Sequence, residues 1–333
     1  MEKKKPVIGV LGSGSWATAL IKILTSNDNK VNWWVRREDD VKHIISYKHN
    51  PAYLSAVEIH LNKVTPVSNI EEVIKNSDWL ILVVPAAFVK DALKGVDPQL
   101  FKGKKVISAI KGMIPDENLL ISDFMEEYYG TPSSDTAVIA GPCHAEEVAM
   151  EKQSYLTIAS ENIEFAENLC EVLDCHFIKV HAIKDLYGVE YSAVIKNIIA
   201  IACGIAHGLN YGDNFQAVLV SNALQEIEKF VEKINAMERQ LSASAYLGDL
   251  LVTTYSQFSR NRTFGNMIGR GYSVKTAQLE MEMIAEGYYA VKCIYEINKK
   301  LELDLPIINS VYNVLYDKIS PFLEFRILQN HLK

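Results

Sequence analysis

Lys196 sits in the middle of a run, Val189 to His207, that is apolar nearly all round, with Ala193, Val194, Ile195, Ile198, Ile199, Ala200, Ile201 and Ala202 about it. A helix of that kind is normally buried, and an ammonium group inside it is costly unless a carboxylate or a ligand anion accompanies it. Desolvation lowers the pKa of a lysine toward the range where its amine passes a proton near neutral pH. A lysine snorkelling to the rim of the helix fits the same spacing. Asp249, the lone carboxylate between Ala245 and Thr254, could neutralise it. Ser259-Arg260-Asn261-Arg262 then supplies planar guanidinium forks and an amide, which suit a phosphate, although a solvated loop has the same composition.

A second chemistry is written near the start. Val7-Ile8-Gly9-Val10-Leu11 runs directly into Gly12-x-Gly14-x-x-Ala17 and then into a helical stretch, Thr18 to Leu24. Gly12 permits the tight turn, Gly14 lets the backbone approach phosphates, and small Ala17 lets the helix pack near the strand, which together grip a dinucleotide pyrophosphate. Free N–H groups at the helix start add a partial positive charge. After the next β-rich run, Val31 to Val35, stands Arg36-Arg37, which suits the 2′-phosphate of NADP. Glu38, Asp39 and Asp40 follow at once and keep a ribose hydroxyl acceptor for NAD open, as does a solvated strand end.

These residues need a scaffold, and the pattern describes one. Up to about Lys184, short apolar runs alternate with amphipathic stretches, as in a parallel sheet covered by helices. Strands are predicted at Val7 to Leu11, Val31 to Val35, Trp79 to Val84, Lys105 to Ile110, Thr136 to Ala140, Tyr155 to Ala159 and Phe177 to Val180. Beyond Lys184 long helical periodicity takes over through Val189 to His207, Phe215 to Met237 and Ala277 to Leu301. The predicted fold class is α/β: a Rossmann-like, doubly wound, mainly parallel sheet over residues 1–184 that binds the dinucleotide, then an all-α substrate and catalytic domain over 185–333. Ligands of open α/β sheets bind beyond the carboxyl ends of the strands. That directs attention to Lys111-Gly112 and to Gly141-Pro142-Cys143-His144-Ala145, where a turn feeds a helix start and His144 offers an imidazole, or a surface histidine.

At 333 residues there is room for two cores, and 49% hydrophobic with 23% charged residues is ordinary for a globular chain. A net charge of −7 argues against a nucleic-acid partner. Five cysteines without a C-x-x-C pair suit a reducing, cytoplasmic setting. Lys3-Lys4-Lys5 before an apolar run imitates a leader, but the run is glycine-interrupted and explained by the first strand. No membrane-spanning segment is predicted, and the eight histidines fall at no metal-ligand spacing, so no metal is expected.

Taken in order, Gly12-Ser13-Gly14-Ser15-Trp16-Ala17-Thr18-Ala19-Leu20, Ile110-Lys111-Gly112, Ala140-Gly141-Pro142, Gly188-Val189-Glu190 continuing to Ile195-Lys196-Asn197, Gly248-Asp249-Leu250, Ser259-Arg260-Asn261-Arg262 and Glu286-Gly287 resemble the bacterial-type NAD(P)-dependent glycerol-3-phosphate dehydrogenase family along almost the whole chain. The resemblance implies reversible hydride transfer between NADPH or NADH and dihydroxyacetone phosphate, giving sn-glycerol 3-phosphate for glycerophospholipid synthesis. It implies Lys196 as proton acceptor, or donor in the reducing direction, with Lys111 and Asp249 completing the catalytic charge network. Gly141, Cys143, Ser259, Arg260 and Asn261 join these three around the phosphorylated substrate. Ser15, Trp16, Arg36, Arg37, Lys111, Ala145, Arg260, Ile284 and Glu286 match cofactor contacts beside Gly12 and Gly14. Cys143-His144 stands where relatives commonly carry a small hydroxyl residue and Phe. A homodimer is left open.

Two other functions share the pattern. The wider 3-hydroxyacid and 6-phosphogluconate dehydrogenase group also joins a Rossmann domain to a helical one with an essential lysine, and would take a carboxylate substrate. A cofactor sensor without catalysis would have no need of both Lys196 and Asp249.

Overall fold

The computed structural model describes residues 5–281 and 285–333. Its contacts divide the chain into two units, one of residues up to Val84 with Phe88–Ile110 and Ile121–Leu186, the other of Pro85–Ala87, Lys111–Leu120 and Tyr187–Lys333. The two segments that follow β-strands in the first half of the chain, among them Lys111, therefore pack with the helical unit.

The first unit is an eight-stranded sheet in the order β3-β2-β1-β4-β5-β6-β7-β8. Its strands are β1 Ile8–Leu11, β2 Val31–Trp34, β3 Val64–Val67, β4 Trp79–Leu82, β5 Lys105–Ser108, β6 Thr136–Ala140, β7 Ser154–Ala159 and β8 Ile178–Ile183. All neighbours are parallel except β6 with β7. The register Ile8↔Val31 on one side of β1 and Ile8↔Trp79 on the other puts the topological switch at β1, beyond whose carboxyl end the glycine turn begins. Helices α1 Ser15–Ser26, α2 Glu38–Tyr47, α3 Ile70–Lys75, α4 Val89–Ala92, α5 Ile121–Tyr129, α6 Ala145–Ala149 and α7 Ile163–Leu173 lie between the strands in sequence. Strands such as β1 and β6 are buried at every residue, as parallel strands covered on both faces must be. The sequence reading placed no strand at residues 64–67. Pro66 interrupts the apolar pattern there, and it is accommodated because β3 ends the sheet, where half the backbone groups need no partner.

The second unit is built from α8 Leu186–Gly208, α9 Asp213–Ile234, α10 Asp249–Tyr255, α11 Arg260–Gly269, α12 Val274–Glu280, α13 Glu286–Leu301, α14 Pro306–Leu315 and α15 Pro321–Leu328. Helix α8 is its axis, with Val194, Ile195, Ile198, Ile199, Ile201 and Ala202 all in the core. Contrary to the sequence expectation, α8 is long and apolar enough to cross a membrane by length and composition, but that window is wholly buried. A second correction concerns the helix expected from Ala277 to Leu301. Met281 is not helical, α12 stops at Glu280, and α13 begins at Glu286 with Ala285 as its N-cap. Ile284 lies outside the described residues.

Candidate active site

In the helical unit, Lys196 and Asp249 are 4% and 1% exposed and joined by a short hydrogen-bonded ion pair. Lys111 reaches the same carboxylate, its Nζ 3.1 Å from Oδ2 and 3.4 Å from Oδ1. Lys196 Nζ also donates to Thr253 Oγ1 at 2.9 Å, and that hydroxyl donates to the Asp249 carbonyl at 2.7 Å. Asn197 Nδ2 donates to the Lys111 carbonyl at 2.7 Å and so fixes the backbone from which Lys111 extends. Local sequence explains the approach. A π-helical turn, Ser244–Gly248, delivers Asp249 as the first residue of α10, and the i, i+4 spacing puts Thr253 on the same face.

The buried amine and the buried carboxylate displace each other's protonation equilibria. Burial drives the Lys196 pKa down; the Asp249 charge resists this and Lys111 assists it, leaving it lowered to about 7. Burial would raise Asp249, yet the Lys111 and Lys196 charges outweigh it and hold the carboxyl below its ordinary value. The cluster therefore pairs an amine able to exchange a proton near neutrality with a carboxylate that stays ionised, an arrangement suited to stabilising charge on a carbonyl oxygen.

The donor set after Asp249 is a helix start, not a loop. Ser259 N-caps α11 by accepting from Arg262 N at 3.3 Å, which leaves Arg260 exposed in the first turn and Asn261 buried. Helix α11 lies directly on α8. A Cβ on Gly204 would lie 2.1 Å from the Arg262 carbonyl, and one on Gly265 would lie 2.1 Å from the Ile201 carbonyl, so only glycine permits this spacing. The Arg262 end of α11 therefore lies on α8 at Gly204, while the Asn261 side chain bonds Gly287, where a Cβ would lie 2.6 Å from the Asn197 carbonyl, next to Lys196. Asn261 Oδ1 accepts from Gly287 N at 2.9 Å and thereby ties α11 to the start of α13. Beside Gly287, Glu286 has its pKa raised by burial, against the opposing charges of Arg260 and Lys111 and an Ala86 backbone bond. Its carboxylate lies against Gly112, where a Cβ would come within 2.2 Å of Oε2. The structure thus gathers Lys111, Lys196, Asp249, Ser259, Arg260, Asn261 and Glu286 in one unit.

The sheet unit carries the other predicted residues. Gly12 has φ +137°, and a Cβ there would meet the Val83 carbonyl at 2.8 Å; Gly14 has nothing within 4 Å of its Cβ position. No side chain caps α1 and no acidic residue stands in its first turn, although Ser15, Ala17 and Thr18 are buried. Trp16 Nε1 is buried without a hydrogen-bond partner among the described residues. Open backbone, an uncapped helix start and an orphaned donor together fit a dinucleotide pyrophosphate. Arg36 and Arg37 are exposed beyond β2, with Arg37 held in a two-pronged pair by Asp40 at 2.8 and 3.0 Å. Gly141 (φ +109°) follows β6, Cys143 is half-buried, and Ala145 is the first residue of α6.

Sequence reasoning missed Thr253 and did not single out Asn197. The first carries a signal in its i+4 spacing from Asp249; the second has none, because a neutral amide fits many positions.

A sequence model described as the NAD-dependent glycerol-3-phosphate dehydrogenase N-terminus matches residues 7–166, and one described as the C-terminus of the same enzyme matches residues 185–323. Glycerol-3-phosphate dehydrogenase (NAD(P)+) of Bacillus subtilis strain 168 is 34% identical over 311 residues, covering 93% of this chain and 90% of that one. The enzyme of the same name from Syntrophomonas wolfei is 34% identical over 312 residues, covering 93% and 91%. The crystal structure of glycerol-3-phosphate dehydrogenase from Coxiella burnetii superposes with a TM-score of 0.89 at 28% identity, covering 98% of this chain and 99% of that one.

Proposed function

The chain belongs to the NAD-dependent glycerol-3-phosphate dehydrogenase family and is an oxidoreductase that uses NAD(P) and a small phosphorylated substrate; from that premise we propose how its residues divide the work. NADH or NADPH, when bound, supplies the hydride that C2 of dihydroxyacetone phosphate receives. The Lys196 ammonium hydrogen-bonds the ketone oxygen and gives it a proton as negative charge grows there; in the oxidising direction the neutral amine takes that proton back. Asp249 holds the amine in place and balances its charge, and Lys111 adds a second positive charge beside the oxygen. Arg260 and Asn261 hold the substrate phosphate at the start of α11. Gly141 and Cys143 complete the substrate contacts, with Cys143 offering a thiol in place of a hydroxyl.

Gly12, Gly14, Ser15 and Trp16 cradle the pyrophosphate, while Ala145 and Glu286, with Lys111 and Arg260, complete the cofactor contacts. Arg36 and Arg37 face the adenosine end, and Arg37 favours NADPH. The observation that carries this reading is the buried Lys196 amine sharing Asp249 with Lys111.

Following nicotinamide absorbance with each cofactor tests it. Dihydroxyacetone phosphate is expected to oxidise both, NADPH the better, and Arg37→Ala to erase the preference. Turnover of 3-hydroxyisobutyrate or 6-phosphogluconate in place of glycerol 3-phosphate rejects the substrate. Cofactor binding without turnover leaves a sensor. We place the reaction in the cytoplasm, at the supply of glycerol phosphate for phospholipids. A homodimer is the assembly proposed, supported by exposed Phe322, Leu323 and Ile327 on α15 and tested by light scattering.

A further inference from the structure

Outside the glycine motif, the loop after α2 contributes one side chain to the turn that follows β1. Asn50 is 3% exposed. Its Nδ2 donates to the Ser13 carbonyl at 3.0 Å and to Thr18 Oγ1 at 2.9 Å. Its Oδ1 accepts from Ala52 N at 3.0 Å and Tyr53 N at 3.1 Å. All the hydrogen-bonding capacity of this amide is thus spent on the turn at Ser13, on the first turn of α1 at Thr18, and on its own loop. The neighbouring carbonyls of the turn are held as well. Trp33 Nε1 donates to the Gly12 carbonyl at 2.7 Å, and Thr18 Oγ1 donates to the Gly14 carbonyl at 3.1 Å.

A trans peptide is planar, so its C=O and the following N–H point opposite ways. Holding the carbonyls of Gly12, Ser13 and Gly14 therefore fixes the directions of the N–H groups of Ser13, Gly14 and Ser15. Those are the amides that a glycine turn offers to phosphate oxygens. Left to itself, a Gly-Ser-Gly segment samples many backbone states and loses that freedom on binding. We propose that Asn50 is a positioning residue for the dinucleotide: through the Ser13 carbonyl it aims the Gly14 N–H, and through Thr18 it steadies the Ser15 N–H, before the pyrophosphate arrives, and it touches no ligand itself. The proposal rests on reading that turn as the pyrophosphate site.

Asn50→Asp keeps the acceptor that Ala52 and Tyr53 use and loses both donors, to Ser13 and to Thr18. Two net hydrogen bonds correspond to about tenfold weaker binding of NADH, NADPH and ADP-ribose by fluorescence titration and competition. Adenosine, which has no pyrophosphate, is expected to compete as it does with the wild type. Thr18→Val introduces no charge and loses two bonds, the one from Asn50 and the hydroxyl's own to the Gly14 carbonyl, so the same pattern is expected at about tenfold. Equal weakening of adenosine means a general structural role and overturns the proposal, as does pyrophosphate-ligand binding within twofold of wild type in Thr18→Val. A loss confined to Asn50→Asp marks charge repulsion and overturns it too. If Asn50→Asp fails to fold, Thr18→Val alone decides. Gly14→Asp separates the two levels, since its Cβ meets no protein atom within 4 Å and its φ of −78° is ordinary. If Gly14→Asp binds NADH normally, the reading of the turn fails. If it does not, and the Asn50 and Thr18 variants bind normally, only the role of Asn50 fails.

Discussion

Asp249 and Glu226 are buried in the helical unit to nearly the same extent, 1% and 2% exposed, yet their surroundings move their protons in opposite directions. Asp249 faces the ammonium groups of Lys196 and Lys111, which hold it ionised against the effect of burial. Glu226 on α9 accepts from Ile307 N at 2.7 Å and Ile308 N at 3.2 Å, closing the first turn of α14 behind Pro306. Burial dominates there and pushes its pKa up to about 8 despite both amides. Two amide dipoles can satisfy a carboxylate's hydrogen bonds without matching its charge, whereas two full cations can do both. Depth of burial alone therefore does not set the charge of a carboxyl in this protein; the charge of its neighbours does.

The largest effect is expected at the amine. Lys196→Ala removes the proposed proton carrier and should lower turnover by about 10²–10⁴, while affinity for NADH, measured by titration, stays within a few-fold. Full turnover in that variant would make Asp249 and Glu226 equivalent structural acids. Asp249→Asn comes next. It leaves the buried lysine without its counter-charge, and turnover should fall by about 10²–10³ in the same assay.

Glu226→Gln is the matching change on the other side of the comparison, and its turnover should stay within a factor of two. Its signature is in stability. With an ordinary value of 4.5 and a native value of about 8, native Glu226 binds more protons than the unfolded chain between those pH values. That contribution to stability is full below about 4.5 and is lost as the pH rises through about 8. Thermal midpoints of the wild type relative to Glu226→Gln should fall over that window; a flat difference removes the contrast with Asp249. Arg260→Ala would lose the charge-assisted contact proposed with the substrate phosphate, of about 1.5–3 kcal/mol, which should raise the KM for dihydroxyacetone phosphate about 10- to 150-fold. An unchanged KM would move the phosphate elsewhere.

How much of this could be read in advance depended on the kind of signal. Strands such as β1 and β6 are continuous apolar runs because helices cover both faces, so they stand out, whereas β3 is short, carries Pro66 and ends the sheet. The break before α13 is silent because residues 273–286 contain neither glycine nor proline. Lys196 and Asp249 were legible because a charge in an apolar run is costly and calls for a partner. Glu226 was not, because Glu228, Lys229 and Glu232 surround it with the charges of an ordinary solvated face. Neutral amides such as Asn50 and Asn197 fit turns and surfaces equally well, and their partners, Ser13 and Lys111, are set only by the fold.

The smallest expected effect tests the coupling itself. In the proposed mechanism glycerol 3-phosphate oxidation needs the neutral Lys196 amine, so kcat/KM should rise with pH through about 7, and in the reducing direction it should fall through the same region. Lys111 is the like charge that assists burial in lowering this value. Lys111→Met removes that charge, makes the Lys196 ammonium less costly, and should move both limbs to higher pH. The change would also lower the rate itself, so the position of the limb is the diagnostic, not the maximum. A limb that stays at about 7 would mean that burial alone sets the amine, and that Lys111 contributes charge to the substrate oxygen without tuning its partner.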